Sequence, residues 1–175
     1  FVNKEEAVEI LNMKYKILNM KELLIALQKL GPKIVVITDS KNGSFAIDDK
    51  GNIVWNDVLV ALFATDVLNE HPGATIMYNT LCSKVVEETI IKYGGKPFMW
   101  RTGHSFLKKK NQEVKAAFIG ELSGHFFFSV DFYNHDDGLY STLRLLSYLE
   151  KTNQSLSASI DSFPKYISSP EIKIY

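Results

Sequence analysis

Residues 75–100 read TIMYNTLCSKVVEETIIKYGGKPFMW, and this stretch decides the fold class. Its start, Thr75 to Tyr78, has the β-branched and aromatic composition that strands favour. A helical pattern then runs from Ser83 to Tyr93 and stops at Gly94-Gly95, because glycine commonly ends helices. A second strand is expected at Pro97 to Trp100. A strand, a helix and a strand in this order predict an α/β fold.

The rest of the chain continues the alternation of strands and helices. We predict strands at Lys33–Thr38, Ser44–Asp48, Ala116–Ile119 and Phe126–Phe128, and helices over about 5–11, 19–30, 56–69, 105–113, 137–151 and 155–162. The β-branched run Lys33–Thr38 predicts a strand buried on both faces. Four leucines at helical spacing in the helix over 137–151 are predicted to face inward: Leu139, Leu143, Leu146 and Leu149. We therefore expect a three-layer α/β/α sandwich with a mixed, mostly parallel sheet.

Composition excludes several classes of function. The 175 residues include 20 Lys and Arg and 20 Asp and Glu, so the formal net charge is zero. Nucleic-acid-binding domains usually carry an excess of basic residues, so this balance argues against a nucleic-acid partner. No apolar run approaches the length of a membrane span, and the N-terminus lacks the pattern of a signal peptide. The single cysteine, Cys82, excludes an internal disulfide and a cysteine-rich zinc site. A reducing, cytoplasmic setting is expected.

The densest group of polar functional side chains lies in two short segments, 101–104 and 120–125. They contain five candidate substrate-binding residues: Arg101, His104, Glu121, Ser123 and His125. Arginine and histidine bind phosphate oxygens, and a carboxylate accepts hydrogen bonds from sugar hydroxyls. Loops at strand ends are where α/β sheets usually bind ligands. The set suits a phosphorylated, polyhydroxylated ligand; the alternative is a polar turn whose side chains satisfy one another.

Four other features each have two interpretations. Asn3 and Glu6 form either a helix capping box or an Asn-x-x-Glu motif that organises magnesium near phosphates. Cys82 is either a nucleophile near a helix N-terminus or a buried packing residue. The run 108–110 of three lysines is a solvated helix face or a phosphate-steering patch. The pair Asp136-Asp137 is a helix N-cap or a metal pair. The usual nucleotide-binding and serine-hydrolase motifs are absent from the sequence.

Several motifs between about residues 51 and 175 resemble those of one enzyme family. They are Gly120-Glu-Leu-Ser-Gly-His125, Met99-Trp-Arg-Thr-Gly-His-Ser105, Trp55-Asn-Asp57, Phe132-Tyr133 before Asp136-Asp-Gly138, and Ser169-Pro-Glu-Ile172. Together they resemble the third domain of the α-D-phosphohexomutases, of the phosphomannomutase/phosphoglucomutase type.

This resemblance implies a role for each candidate residue. Glu121 and Ser123 would hold sugar hydroxyls with His125 beside them, and His104 and Arg101 would assist ligand binding. One position departs from the family, which commonly has a basic residue before the cysteine of the segment 78–84. Leu81 stands there instead, so the resemblance does not extend to this part of the family's catalytic acid/base apparatus.

The first fifty residues resemble a different family, the ribokinase-like sugar kinases. The resemblance rests on Asn3-Lys-Glu-Glu-Ala7, on Lys33-Ile-Val-Val-Ile-Thr-Asp39 and on Gly43-Ser-Phe-Ala46. In those kinases the Asn-x-x-Glu motif assists magnesium and phosphate binding. We predict a chimera of a fragment over 1–50 and a mutase-like part over 51–175, which share one core because no linker separates them.

Motifs that either parent activity requires are missing from this chain. It has no mutase phosphoserine, Asp-Gly-Asp-type magnesium loop or phosphate clamp, and no kinase anion hole. We therefore expect no catalytic residue and no cofactor in this chain, although both parent families use magnesium. The predicted function is that of a chimeric or isolated α/β domain, derived from a phosphohexomutase sugar-binding domain, without independent catalysis and with at most weak hexose-phosphate binding. The alternative is one part of a phosphomannomutase/phosphoglucomutase that is active only with its other domains. The sequence leaves the oligomeric state open.

Overall fold

The computed structural model describes residues 1–11, 19–39 and 43–166. The strands in this part of the chain are β1 (Val2–Asn3), β2 (Val35–Thr38), β3 (Ser44–Ile47), β4 (Ile53–Val54), β5 (Thr75–Asn79), β6 (Lys96–Trp100), β7 (Phe118–Gly120) and β8 (Phe126–Phe128). The helices are α1 (Lys4–Ile10), α2 (Met20–Gln28), α3 (Asn56–Glu70), α4 (Lys84–Lys92), α5 (His104–Val114), α6 (Gly138–Thr152) and α7 (Leu156–Asp161). The predicted α/β class is confirmed.

The strands form two sheets where one was predicted. The first sheet has the order β1-β2-β3-β4, and only β1 and β2 are parallel. The second has the order β6-β5-β7-β8; β5 is parallel to β6 and β7, and β8 is antiparallel. The strand predicted at Lys33–Thr38 does not join the second sheet, because β1 and β3 occupy both of its edges. The two-residue strands β1 and β4 are too short to leave a periodic pattern in the sequence.

The second sheet carries helices on both faces. Ile76 and Tyr78 of β5 belong to a core cluster that includes α3, whereas Met77 between them packs in a cluster with Leu107 of α5. This period of two places α3 and α5 on opposite faces of the sheet. The three-layer arrangement predicted for the fold is therefore present around β5.

Helix α3 joins the two sheets. Every residue from Leu59 to Leu68 is buried, and all of them except Thr65 and Asp66 are apolar, as expected for a helix with apolar residues on all sides. Ala46 and Val54 of the first sheet belong to the same core cluster as α3 and Phe118 of the second sheet. The first sheet therefore contributes side chains to the main core as well as to its own cluster against α1 and α2.

The inward face of α6 differs from the prediction. Leu139, Leu143 and Leu146 are 67%, 57% and 52% exposed, and Leu149 is half-buried against the main core. Leu145, which is 6% exposed, faces inward instead. The helix has apolar residues on more than one side, so leucine spacing alone does not select the buried face. Arg144, next to Leu145, binds the carboxylates of Asp66 and Glu70 in α3.

None of the described helices is long and apolar enough to cross a membrane.

Candidate functional site

Three loops meet at one edge of the second sheet. They follow β5, β6 and β7, which run parallel, so their carboxyl ends lie on the same side. Asn79, the last residue of β5, is completely buried beneath them. Its Oδ1 accepts the N–H of Leu122 at 3.2 Å, and its Nδ2 donates to Thr102 Oγ1 at 3.4 Å. The side chain of Asn79 therefore contacts both of the other loops.

Glu121 lies at the centre of this junction and is 1% exposed. Its Oε1 accepts the N–H of Gly103 at 2.9 Å and faces Asn79 Nδ2 at 3.5 Å. Its Oε2 is buried without a hydrogen-bond partner among the described residues. A buried carboxylate oxygen without a donor is unfavourable. A ligand hydroxyl is the kind of group that would satisfy it.

His125 is held by a carboxylate at the other end of the same loop. Its Nδ1 lies 2.5 Å from Asp136 Oδ2, and Asp136 Oδ1 accepts the N–H of Phe126 at 3.1 Å. The hydrogen bond with Asp136 raises the pKa of His125 above its usual range, and partial burial opposes this rise. The ring of His104 lies 5.3 Å from that of His125. The two imidazoles thus lie side by side, and imidazole nitrogens can bind a phosphate.

Arg101 borders an open cavity of about 560 Å³ beside the loops, which is also lined by Thr80, Met99, Trp100 and Thr102. Its guanidinium carbon lies 3.6 Å from the ring centre of Phe106, a cation–π contact that orients an otherwise exposed side chain. Arg101 is exposed, and a guanidinium offers donors that can bind an anion.

The loop that carries Ser123 is also held from the first sheet. The N–H of Ser44 in β3 donates to the carbonyl oxygen of Ser123 at 3.1 Å. Asn56 Nδ2 donates to the carbonyl oxygens of Ser44 at 2.9 Å and of Leu122 at 3.0 Å. The start of α3 therefore bridges the β2–β3 hairpin and the candidate ligand loop.

The structure places all five predicted residues in the segments that follow β6 and β7. Glu121, through Gly103, holds the loop of His104, and the rings of His104 and His125 are neighbours. Among the described residues, no side-chain hydrogen bond joins Arg101 or Ser123 to the other three. Sequence reasoning missed Asn79 and the pairing of Asp136 with His125. The position of Asn79 at the carboxyl end of a parallel strand was the available signal.

Cys82 does not have the properties of a nucleophile. Burial raises the pKa of its thiol to about 12, and its Sγ lies 3.1 Å from Asn79 Oδ1. A thiol with this pKa is protonated at neutral pH and is a poor nucleophile. The structure supports the packing interpretation.

The two pairs with an alternative metal-binding interpretation bind groups of the protein instead. Asn3 Oδ1 accepts the N–H of Glu6, and Glu6 Oε2 accepts the N–H of Asn3, both at 2.8 Å, so the pair forms a capping box. Asp137 caps α6 by accepting the N–H of Tyr140 at 2.7 Å, whereas Asp136 binds His125. The two adjacent aspartates therefore serve separate partners.

Two further charged groups have structural contacts. In the lysine run, Lys110 pairs with Glu113 and lies over the ring of Trp100, while its two neighbours are exposed. Ligand atoms of Glu70, His71 and Asp131 lie within 4.8 Å of one another. Arg144 and Lys151 already bind the Glu70 carboxylate at 2.5 and 2.8 Å. This second group is therefore an ion-pair network.

Comparison with known proteins relates the chain to one family. Residues 55–166 match the family described as phosphoglucomutase/phosphomannomutase, alpha/beta/alpha domain III. The phosphomannomutase/phosphoglucomutase of Pseudomonas putida is 39% identical over 157 residues, which are 89% of this chain and 34% of the relative. The phosphomannomutase of Methanocaldococcus jannaschii is 37% identical over 154 residues, 87% of this chain and 34% of the relative.

The solved structures agree with these relatives. A phosphoglucomutase/phosphomannomutase family protein from Burkholderia thailandensis matches with a TM-score of 0.78 and 35% identity, covering 87% of this chain and 33% of that one. The chain thus spans about a third of the length of the relatives it matches. Because 157 matched residues exceed the stretch from 51 to 175, the similarity extends into the first fifty residues.

Proposed function

The chain belongs to the phosphoglucomutase/phosphomannomutase family, and on this premise we propose that it is the sugar-recognition part of such a mutase. It binds hexose phosphates weakly and has no turnover of its own. The observation that carries the proposal is Glu121, a buried carboxylate with one unpaired oxygen where three loops meet. A sugar hydroxyl would supply the missing donor.

The charges around Glu121 support a phosphorylated ligand. His125 has a raised pKa because of Asp136, and His104 lies beside it. Arg101 follows the parallel strand β6 and is exposed. Cations bind the phosphate while the carboxylate binds the sugar, so the ligand class is a hexose phosphate.

The absence of turnover follows from the missing phosphoryl donor. Phosphoryl transfer requires a group that carries the phosphate and a positioned cation. The sequence has neither a mutase phosphoserine nor an Asp-Gly-Asp-type magnesium loop, and the thiol of Cys82 is protonated at neutral pH. Activity would therefore require further domains, supplied by a longer polypeptide or in trans. A cytoplasmic setting is part of this proposal.

The fusion with a ribokinase-like segment over 1–50 remains a prediction. Similarity to mutases that extends into these residues favours a mutase origin for much of that segment instead. Sequencing the gene from genomic DNA of its source decides whether the join is natural.

Titration of the chain with glucose 1-phosphate and mannose 1-phosphate, followed by amide NMR, tests the binding proposal. We expect shifts confined to 101–104 and 121–125, with inorganic phosphate and free glucose as weaker competitors. Glu121→Gln retains an oxygen for Gly103 and replaces the unpaired acceptor with a donor, so it should weaken binding about tenfold. Glu9→Gln, an exposed change in α1, is the control of equal charge. Absence of shifts at high ligand concentration, or shifts elsewhere, would contradict the proposal.

A further inference from the structure

The side chain of Asn79 contacts more of the candidate site than any of the five predicted ligand-binding residues. It is completely buried at the end of β5. Its Oδ1 accepts the N–H of Leu122 at 3.2 Å and lies 3.1 Å from Cys82 Sγ. Its Nδ2 faces Thr102 Oγ1 at 3.4 Å and Glu121 Oε1 at 3.5 Å. One amide thus links the loops that follow β5, β6 and β7.

These contacts require an amide at this position. The oxygen serves the acceptor side, towards a backbone N–H and a thiol. The nitrogen serves the donor side, towards a hydroxyl and a carboxylate. An aspartate could accept from Leu122, but its second oxygen would face the Glu121 carboxylate without a hydrogen. A leucine of similar size would satisfy none of the four partners.

Asn79 also lies beside the oxygen of Glu121 that binds Gly103. Gly103 N and Asn79 Nδ2 both approach Oε1, and Oε2 has no partner among the described residues. Donors on one oxygen hold the carboxylate in a single orientation. The unpaired oxygen is therefore oriented before a ligand arrives, which reduces the entropy lost on binding.

We propose that Asn79 is a positioning residue of the hexose-phosphate site. It orients Glu121 and holds the loop 121–125 in place relative to the loop 101–103. It acts through Glu121 and does not touch the ligand. This inference rests on the proposed function for its ligand, but its effect on the loops is independent of binding.

Asn79→Asp is the decisive variant because it keeps the shape and removes the donor. At neutral pH we expect affinity for mannose 1-phosphate to fall about tenfold or more, since like charges face each other beside Glu121. At acidic pH the new carboxyl gains a proton and can donate again. The ratio of variant to wild-type affinity should therefore recover as the pH falls, which a purely structural defect would not produce.

Cys82→Ala is the matched control, because it removes one contact of the same Asn79 oxygen and leaves both loops bonded. Its affinity should equal that of the wild type. If Asn79→Asp fails to fold, Thr102→Val decides instead, because it removes one acceptor of Nδ2 at an exposed position and should weaken binding about threefold. Unchanged affinity in whichever variant folds would overturn the inference.

The two proposals fail in distinguishable ways. If the wild type binds neither sugar phosphate, the proposed function is wrong. The amide NMR signals of Gly103 and Leu122 in the free protein then still test whether Asn79 positions the two loops. Displacement of both signals in Asn79→Asp, but not in Cys82→Ala, supports the positioning role. Signals at their wild-type positions overturn it.

Discussion

The backbone N–H of Ser44 donates a hydrogen bond to the carbonyl oxygen of Ser123 across 3.1 Å. This bond joins strand β3 to the loop 121–125, which carries the candidate sugar-binding residues Glu121 and Ser123. The approach is close because Gly43 has no side chain: a Cβ there would lie 2.3 Å from the same carbonyl oxygen. The first fifty residues therefore help to shape a site whose five candidate ligand-binding residues all lie beyond residue 100.

Gly43→Ala should destabilise the protein more than the same change at Gly73. Both glycines have positive φ, 87° and 77°, so both variants bear a similar backbone strain. Only Gly43 faces a backbone atom, whereas nothing lies within 4 Å of the Cβ position at Gly73. We expect an additional loss of about 1–3 kcal/mol in the free energy of unfolding, measured in urea. Equal losses in the two variants would mean that the hairpin and the loop do not press together.

The pair His125–Asp136 should make stability depend on pH. The pKa of His125 is raised in the folded state, chiefly by its bond with Asp136. The contribution of this pair to the free energy of unfolding is therefore complete below the pKa of an unfolded histidine, near 6.5. It is lost as the pH rises through the pKa of His125 in the folded state. Because both groups are about one-third exposed, at 32% and 34%, we expect less than about 1 kcal/mol.

Asp136→Asn should remove most of this dependence. Urea unfolding from pH 5.5 to 8.5 measures the effect, and NMR titration of the His125 ring measures its cause. A His125 titration curve that stays unchanged in Asp136→Asn would contradict the role assigned to the pair.

Cys82 should not react in the native protein. Burial raises the pKa of its thiol to about 12, so almost no thiolate exists near neutral pH. We expect no release of colour from Ellman's reagent at pH 8 in the folded state and one equivalent after unfolding in urea. Rapid modification of the folded chain would revive the nucleophile interpretation.

Arg144 should be a major contributor to stability, unlike its neighbour in the network, Lys151. The Arg144 side chain is 12% exposed and binds Asp66, which is 7% exposed, at 2.5 Å. Arg144→Met would leave that carboxylate buried and unpaired, with an expected loss of about 3–5 kcal/mol. Lys151→Ala, at an exposed position on the same Glu70 carboxylate, should cause no measurable loss. Thermal and urea unfolding measure the loss of stability in the two variants. Equal losses in Arg144→Met and Lys151→Ala would contradict this prediction.

We also expect the parts 1–50 and 51–175 to unfold together. Ala46 and Val54 share the core cluster of α3, and Asp49 accepts hydrogen bonds from the backbone and hydroxyl of Ser157 at 2.8 and 2.9 Å. Hydrogen exchange at increasing urea should show β2 and β5 losing protection at the same concentration. Earlier loss in β2 would indicate two independent units.

Local pattern in the sequence was sufficient for most elements of the fold. The strand Phe126–Phe128 and the helices near residues 56–70 and 84–92 lie where their composition and their glycine or proline boundaries predicted them. The Asn3–Glu6 capping box also forms as one of its two interpretations predicted. These features depend on contacts between residues a few positions apart, so the sequence alone determines them.

Tertiary structure decided what depends on distant partners. Four leucines at helical spacing did not determine which face of α6 is buried: Leu145 faces the core, and Arg144 beside it pairs with α3. Hydrogen bonding along its edges placed β2 in a separate sheet. Parallel strand ends brought Asn79 beneath Glu121, 42 positions away. No local pattern encodes such contacts, because their free energy is gained only when the intervening chain has folded and closed the loop between them.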